Sequence, residues 1–231
     1  MGVSGGPYIV RDSSLVLELD AADRNSYISG STIWRDLTAN SFTGSLINGP
    51  TFSSASLGNI VFDGTNDYVN FGNPTILSFP GDFTIDVWAK VNDITSIYGG
   101  TILGKRTAST FINNYSLYFA NGAFLFGING NTNIAITGSA SGLSYNSWYN
   151  VTSTVSGSMM YLYINSSLQP NSSSIPGGTI IDNNAPLRIG QNHDLNAPLS
   201  GSVSNVRLYN RGLSPSEILQ NYNALKSRFN L

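Results

Sequence analysis

Glu18, Asp20 and Asp23, in the run Glu18-Leu-Asp20-Ala-Ala-Asp23, are the residues whose types and spacing could break a covalent bond. A strand presents residues i and i+2 on one face and a bulge can add the third. A nucleophile and an acid/base can then stand ~5 Å apart, as retaining glycoside hydrolysis requires. Against that chemistry, the last acid is an aspartate, shorter by a methylene than a glutamate, and Asn25-Ser26-Tyr27 continue as a loop. The other glutamate, Glu217, fits a helix cap. The single histidine, His193, has no Gly-x-Ser-x-Gly elbow to serve, and neither a phosphate-binding loop nor a dinucleotide fingerprint is present. We therefore assign no catalytic residue and expect a protein that is not an enzyme.

Binding chemistry has more support. Asn113, Asn114 and Tyr115 precede one predicted strand, and Gln191, Asn192, His193 and Asp194 follow another; amides and a ring of this kind suit sugar hydroxyls and sugar faces. Without cysteine, neither a disulfide framework nor a thiolate metal site can form. Calcium is the ion that the abundant Asp and Asn oxygens would suit. Asp63-Gly-Thr-Asn-Asp67 nevertheless lacks the closing glutamate of a calcium loop and reads as a turn, so no cofactor and no metal ligand are assigned.

These groups must be positioned by strands. Phe83, Ile85, Val87, Ala89 and Val91 alternate with Thr84, Asp86, Trp88 and Lys90, which predicts one core face and one half-exposed face. Asn121-Gly122 and Ser156-Gly157 mark hairpins, and Asp63–Asp67 leads from Ile60–Phe62 into Tyr68–Phe71 as a further hairpin. In Gly201–Tyr209 the odd spacing of Val203 and Val206 predicts a bulge near Ser204–Asn205 that turns both inward. Ser214-Pro-Ser-Glu217 is a capping box with proline at the first helical position, and Ile218, Leu219, Tyr222 and Leu225 form an expected apolar stripe. Trp34, Trp88 and Trp148 are expected in the core. Short strands with turn signals every 8–12 residues and one terminal helix predict an all-β, two-sheet antiparallel β-sandwich. Residues 13–231 are expected to form that domain, and residues 1–12 an N-terminal arm.

Charged residues make up 10% of the 231-residue chain and the net charge is −2, which argues against nucleic-acid binding. Met1–Asp12 lacks the basic and apolar regions of a signal peptide, and no apolar run predicts membrane insertion.

Taken together, F62-D-G-T-N-D-Y-V69, F83-T-I-D-V-W-A-K90, W148-Y-N-V-T, Y161-L-Y-I-N165, L187-R-I-G190 and G201-S-V-S-N-V-R-L-Y209 resemble the laminin-G-like, concanavalin A-like lectin/glucanase jelly-roll family across Leu15 to Lys226. The opening G6-P-Y-I-V, L15–Y27 and Trp34-Arg-Asp36-Leu37 resemble its members among structural proteins of tailed bacteriophages. The resemblance implies a concanavalin A-like jelly roll, frequent glycan or protein-surface binding, and in some members structural calcium. Ser204 and Asn205 stand where calcium-binding members often carry acids. Glu18, Asp20 and Asp23 are similar to the acidic motif of laminarinase-type glycosidases, but lie on the first strand instead of mid-chain. The expected function is a non-enzymatic virion structural protein, a capsid decoration or fibre-associated component, extracellular after host lysis. Its arm (Gly5, Pro7, Tyr8, Arg11) would contact other virion or capsid proteins or further copies of the chain, and its sandwich would meet surface glycans. The alternative is a soluble carbohydrate-binding module, with a glycoside hydrolase third.

Overall fold

The computed structural model describes residues 8–93, 100–106, 113–128, 134–138, 142–175, 180–182, 184–192 and 197–231. Among them the strands run in chain order as β1 (Leu15–Asp20), β2 (Ile33–Arg35), β3 (Thr43–Ile47), β4 (Thr51–Ser53), β5 (Asn59–Asp63) and β6 (Tyr68–Asn70). There follow β7 (Phe83–Asp93), β8 (Gly100–Arg106), β9 (Asn113–Ala120), β10 (Ala123–Ile128), β11 (Ile134–Thr137) and β12 (Trp148–Ser156). The last are β13 (Met159–Ile164), β14 (Ser167–Leu168), β15 (Ser173–Ser174), β16 (Leu187–Ile189) and β17 (Ser200–Tyr209), before helix α1 (Pro215–Leu225) and a 3₁₀ turn at Lys226–Phe229.

Two antiparallel sheets result. The helix-bearing sheet has the order β14-β13-β12-β7-β17-β5-β4, with β1 also on β17 and β15 on β13; the open sheet has the order β11-β10-β9-β8-β16-β6-β3-β2. Between them lies one main core, in which Leu17, Phe62, Phe83, Ile85, Val87 and Val206 of the first sheet meet Trp34, Val69, Leu103, Leu117, Phe126 and Ile189 of the second. Each fully buried side chain of this kind contributes roughly 1.5–3 kcal/mol. Asn121 (φ 52°) and Gly122 (φ 76°) take the left-handed conformation that a two-residue β9–β10 turn needs.

The predicted bulge is present, since the register of β17 on β7 shifts between Val203 and Asn205, and Val203 and Val206 are both fully buried. It also marks a handover, because β17 pairs with β5 up to Val203 and with β1 from Asn205 onward. The bulged Ser204 donates its hydroxyl to the Gly58 carbonyl at 2.6 Å and accepts from Arg228 Nη2 at 2.8 Å. Arg228 also grips both Asp20 oxygens, at 2.9 and 3.0 Å. One guanidinium thus ties the end of the chain to the end of β1.

Three expectations are corrected. Asp63–Asp67 does not close a hairpin: β5 belongs to the helix-bearing sheet and β6 to the open one, so the turn carries the chain between sheets. Its polar groups satisfy one another, Asp67 accepting the Asp63 amide at 3.1 Å and Asp63 the Thr65 amide at 2.7 Å. Secondly, Thr84, Asp86 and Trp88 are fully buried, because Arg211–Leu213, α1 and the Lys226–Phe229 turn cover the outer face of β7. Thirdly, Leu219 is 47% exposed while Asn221 is buried; the face that meets the sheet is Ile218, Asn221 and Tyr222, at i, i+3 and i+4.

The capping box forms, with Pro215 at the start of α1. Arg211 joins it to the N-terminal segment, contacting Glu217 at 2.6 Å and Asp12 at 2.8 Å. The hydrogen bond and charge of Arg211 draw the Glu217 carboxyl from its ordinary 4.5 down to about 2, and bonds from Ser14 and Arg211 draw Asp12 down to about 2. Folded values below the unfolded ones mean stability that is present above the ordinary carboxylate range and lost as pH falls through it. The unfolding midpoint, followed by circular dichroism, will therefore drop between pH 4.5 and about 2. In Glu217→Gln that drop will be smaller.

Candidate ligand-binding face

Among the described residues no helix covers the outer face of the open sheet; its larger outward side chains are half-buried, and Gly104, Ser116 and Gly127 between them are buried. Strand parity selects the outward set. Leu103, Leu117, Phe126, Leu187, Ile189 and Val69 point inward, which leaves Gly104 and Arg106 on β8, Ser116 and Tyr118 on β9, Arg188 on β16, and Tyr68 and Asn70 on β6 facing out.

Register sets the geometry. Asn70 pairs with Arg188, Arg188 with Gly104, Gly104 with Ser116, and Ser116 with Gly127, which makes a row of short side chains running across adjacent strands beside one arginine. A Cβ on Gly104 would meet Ser116 Cβ at 3.1 Å, so the row is kept shallow by glycine. Tyr118, opposite Thr101 and Leu125, bounds it on β9. Tyr68 bounds it on β6, its ring 4.4 Å below the Arg188 guanidinium. This stacking holds the arginine flat, and Nη1 donates to the Asn192 carbonyl at 3.3 Å. Burial pushes the Tyr118 hydroxyl up, with the charge of Arg106 opposing. Aromatic rings beside guanidinium groups can take a hydroxylated ring carrying an acidic substituent.

The residues expected from sequence fall around this face. Asn113 starts β9, where it pairs with Arg106. Asn114 is buried and its Nδ2 donates to the Ile181 carbonyl at 2.9 Å, so it braces a loop. Tyr115 is a core residue, not a platform: it is fully buried among Phe79 and Phe83, and its hydroxyl donates to the Leu77 carbonyl at 3.0 Å. Gln191 and Asn192 are buried at the end of β16. His193 and Asp194, like Gly5 and Pro7, lie outside the described residues. Tyr8 is 72% exposed, with its carbonyl accepting from Gln220 at 2.8 Å. Arg11 pairs with Glu18 at 2.7 Å. The segment from Tyr8 to Asp12 therefore lies against its own domain. Tyr68, Tyr118 and Arg188 escaped the sequence reading, although each alternates with apolar inward residues of its strand; Arg106 escaped it too, its inward neighbour being the buried Lys105.

The acidic run is dispersed among other tasks. Glu18 lines a cavity of about 450 Å³ with Asn40 and Thr38. Burial pushes its carboxyl up, and Arg207 and Arg11 oppose the rise. Asp20 is held by Arg228, and Asp23 accepts from Asn25 within its own turn. The residues around Ser204 do not fit calcium: the Arg228 guanidinium already donates to the Asp20 and Ser204 oxygens that an ion would need as ligands, and stands as the positive charge among them. Among the described residues no group of three or more His, Asp or Glu gathers as a metal site.

Comparison with known structures matches this architecture. The binding domain of Paraclostridial Mosquitocidal Protein 1 superimposes with a TM-score of 0.72 at 20% identity, over 91% of this chain and 52% of that one. Trypanosoma rangeli sialidase in complex with sialic acid gives 0.73 at 16% identity, over 97% and 36%. The binding domain of Botulinum Neurotoxin DC in complex with SialylT gives 0.68 at 15%, over 92% and 52%. The chain thus spans about half the length of the toxin domains and about a third of the sialidase. No curated protein matches it by sequence. The profile described as concanavalin A-like lectin/glucanases superfamily, Laminin_G_3, matches residues 63–219, more than half of the chain, and the chain belongs to that family.

Proposed function

We propose that this domain is a non-enzymatic, lectin-like module that binds glycans across the outer face of the open sheet. The observation that carries the reading is the Tyr68–Arg188 stack beside the Gly104–Ser116–Gly127 row, with Arg106 two residues from Gly104 on β8 and Tyr118 two residues from Ser116 on β9. Half-buried aromatic rings flanking a row of small residues suit a pyranose, and the two guanidinium groups favour glycans that carry a carboxylate. The toxin binding domain's complex with SialylT supports the same class of ligand. Calorimetric titration with sialyllactose tests this. Saturable binding is expected, and Arg188→Ala or Tyr118→Ala should weaken it about tenfold, near 1.4 kcal/mol. Binding indifferent to both changes, in variants that retain the wild-type circular dichroism, would refute the site.

The carrier we propose is a virion surface, on which the domain faces outward. The support is compositional: solubility drawn from Asn, Ser, Thr and Gly, with charged residues at 10%. Residues 8–12 lie on their own domain, so partner contacts within the arm would fall to residues 1–7 or to the exposed Tyr8 ring. Mass spectrometry of purified particles tests the setting independently of the ligand.

A further inference from the structure

A cleft of about 630 Å³ lies on the opposite side of the sandwich, between the edge hairpin β13–β14 and the start of α1. Its floor is aromatic and apolar. Tyr163 and Leu213 are buried, Tyr161 is half-buried, and Leu168 stands at the mouth, 55% exposed. Tyr161 and Tyr163 are two apart on one strand, so both rings leave the same face of the sheet, roughly 7 Å apart. That volume and floor match a site for one or two sugar rings.

The polar wall decides the chemistry of the ligand. Arg211 is the cation of the cleft, but its donors are engaged: Nε with Ser14 Oγ, Nη1 with the Gly212 carbonyl and Glu217 Oε2, and Nη2 with Asp12 and Glu217 Oε1. A guanidinium carries five N–H groups, and these contacts use them all. It therefore has no hydrogen left for an anionic ligand, while two carboxylates beside it repel one. Glu217 Oε2 accepts from Arg211, the Ser214 amide and the Ser214 hydroxyl; among the described residues Oε1 accepts from Arg211 alone. An oxygen with accepting capacity beside tyrosine rings suits a ligand that donates hydroxyl hydrogens and presents an apolar C–H face.

We propose that this cleft is a second saccharide site that takes an uncharged pyranose, its C–H face on Tyr161 and its hydroxyls directed to Glu217 Oε1 and Ser156. It differs from the open face in position and in charge preference, and it stands or falls independently of that face.

The test is titration of the full chain with maltose, cellobiose and lactose, followed by amide NMR and calorimetry. At least one neutral disaccharide is expected to bind saturably and to shift the amides of Tyr161, Tyr163, Leu168 and Leu213. Tyr161→Ala should weaken that binding at least about tenfold. Leu168→Glu should do the same, and because Leu168 is already exposed this variant keeps the result readable if Tyr161→Ala folds poorly. No saturable binding by any of the three sugars would overturn the proposal. So would shifts confined to Tyr68, Tyr118 and Arg188, or affinity unchanged in Leu168→Glu.

Discussion

Asp86→Ala will destabilise the fold by about 3–5 kcal/mol, the cost of leaving a buried charge without its partner. Asp86 is fully buried on the outer face of β7, under α1. Its Oδ2 accepts from Arg207 at 3.1 Å and from Asn221 at 3.1 Å, and its Oδ1 from Asn150 at 2.6 Å and Thr152 at 3.0 Å. Arg207 is itself only 2% exposed. Removing the carboxylate strands a guanidinium away from water and leaves amide and hydroxyl donors from three further residues unmatched. The damage extends along the chain. Asn221 accepts the Val10 amide at 2.7 Å and donates to the Tyr209 hydroxyl, which donates to the Val10 carbonyl at 3.0 Å. The N-terminal segment, α1, β17 and β7 thus share one polar network centred on Asp86. Thermal unfolding is the measurement. For a domain of this size each kcal/mol shifts the midpoint by about 2–4 °C, so a fall near 10 °C is expected. A fall of less than about 3 °C would mean that Arg207 finds another partner, Glu18 being the carboxylate placed to serve.

This network shows where sequence reading ends. Strand parity correctly put Asp86 opposite Ile85 and Val87, but not whether that opposite face met water. The cover comes from Asn221, at a separation of 135 residues, and no local pattern encodes it. Features whose physics is local were legible. Ser214 and Glu217 specify their cap within one turn, the unequal spacing of Val203 and Val206 forces a bulge, and Asn121-Gly122 adopts its turn by intrinsic preference. Asp63–Asp67 shows the complementary case: its residues specify a reversal, but β5 pairs with β4 and β17 and β6 with β3 and β16, and those pairings decide that the turn joins two sheets. At the candidate site, polarity was mistaken for accessibility. Asn114 and Tyr115 look suited to sugars, yet Tyr115 shares the inward phase of Leu117 and Phe119, whereas Tyr118 holds the outward phase. Arg188 sits between two core residues in L187-R-I189, and its placement against Tyr68 depends on β6 arriving beside β16.

Trp88→Ala should cost a further large amount, about 3–5 kcal/mol, through a different mechanism. Trp88 is fully buried although it points away from the main core, because the chain's C-terminal segment closes over it. Its ring stacks on Phe229 at 4.1 Å and 12°, and on Tyr222 at 5.8 Å and 10°, while Trp148 tilts against Phe229 at 4.9 Å. Truncation removes a large apolar surface and the aromatic pairings with it, each of which adds about 0.5–1.5 kcal/mol beyond area. The cavity would open directly beneath Lys226–Phe229, the segment whose Arg228 ties Asp20, Gly58 and Ser204 together. The expected result is therefore local as well as global: limited proteolysis should cut within residues 226–231 before the sandwich unfolds, and the denaturant midpoint should fall. Trp88→Phe separates the causes. It keeps a ring against Phe229 and removes an indole N–H that has no hydrogen-bond partner among the described residues, so it should recover more than half of the loss. If Trp88→Phe is as damaging as alanine, ring stacking is not what holds the C-terminal turn, and the Arg228 contacts alone must carry it.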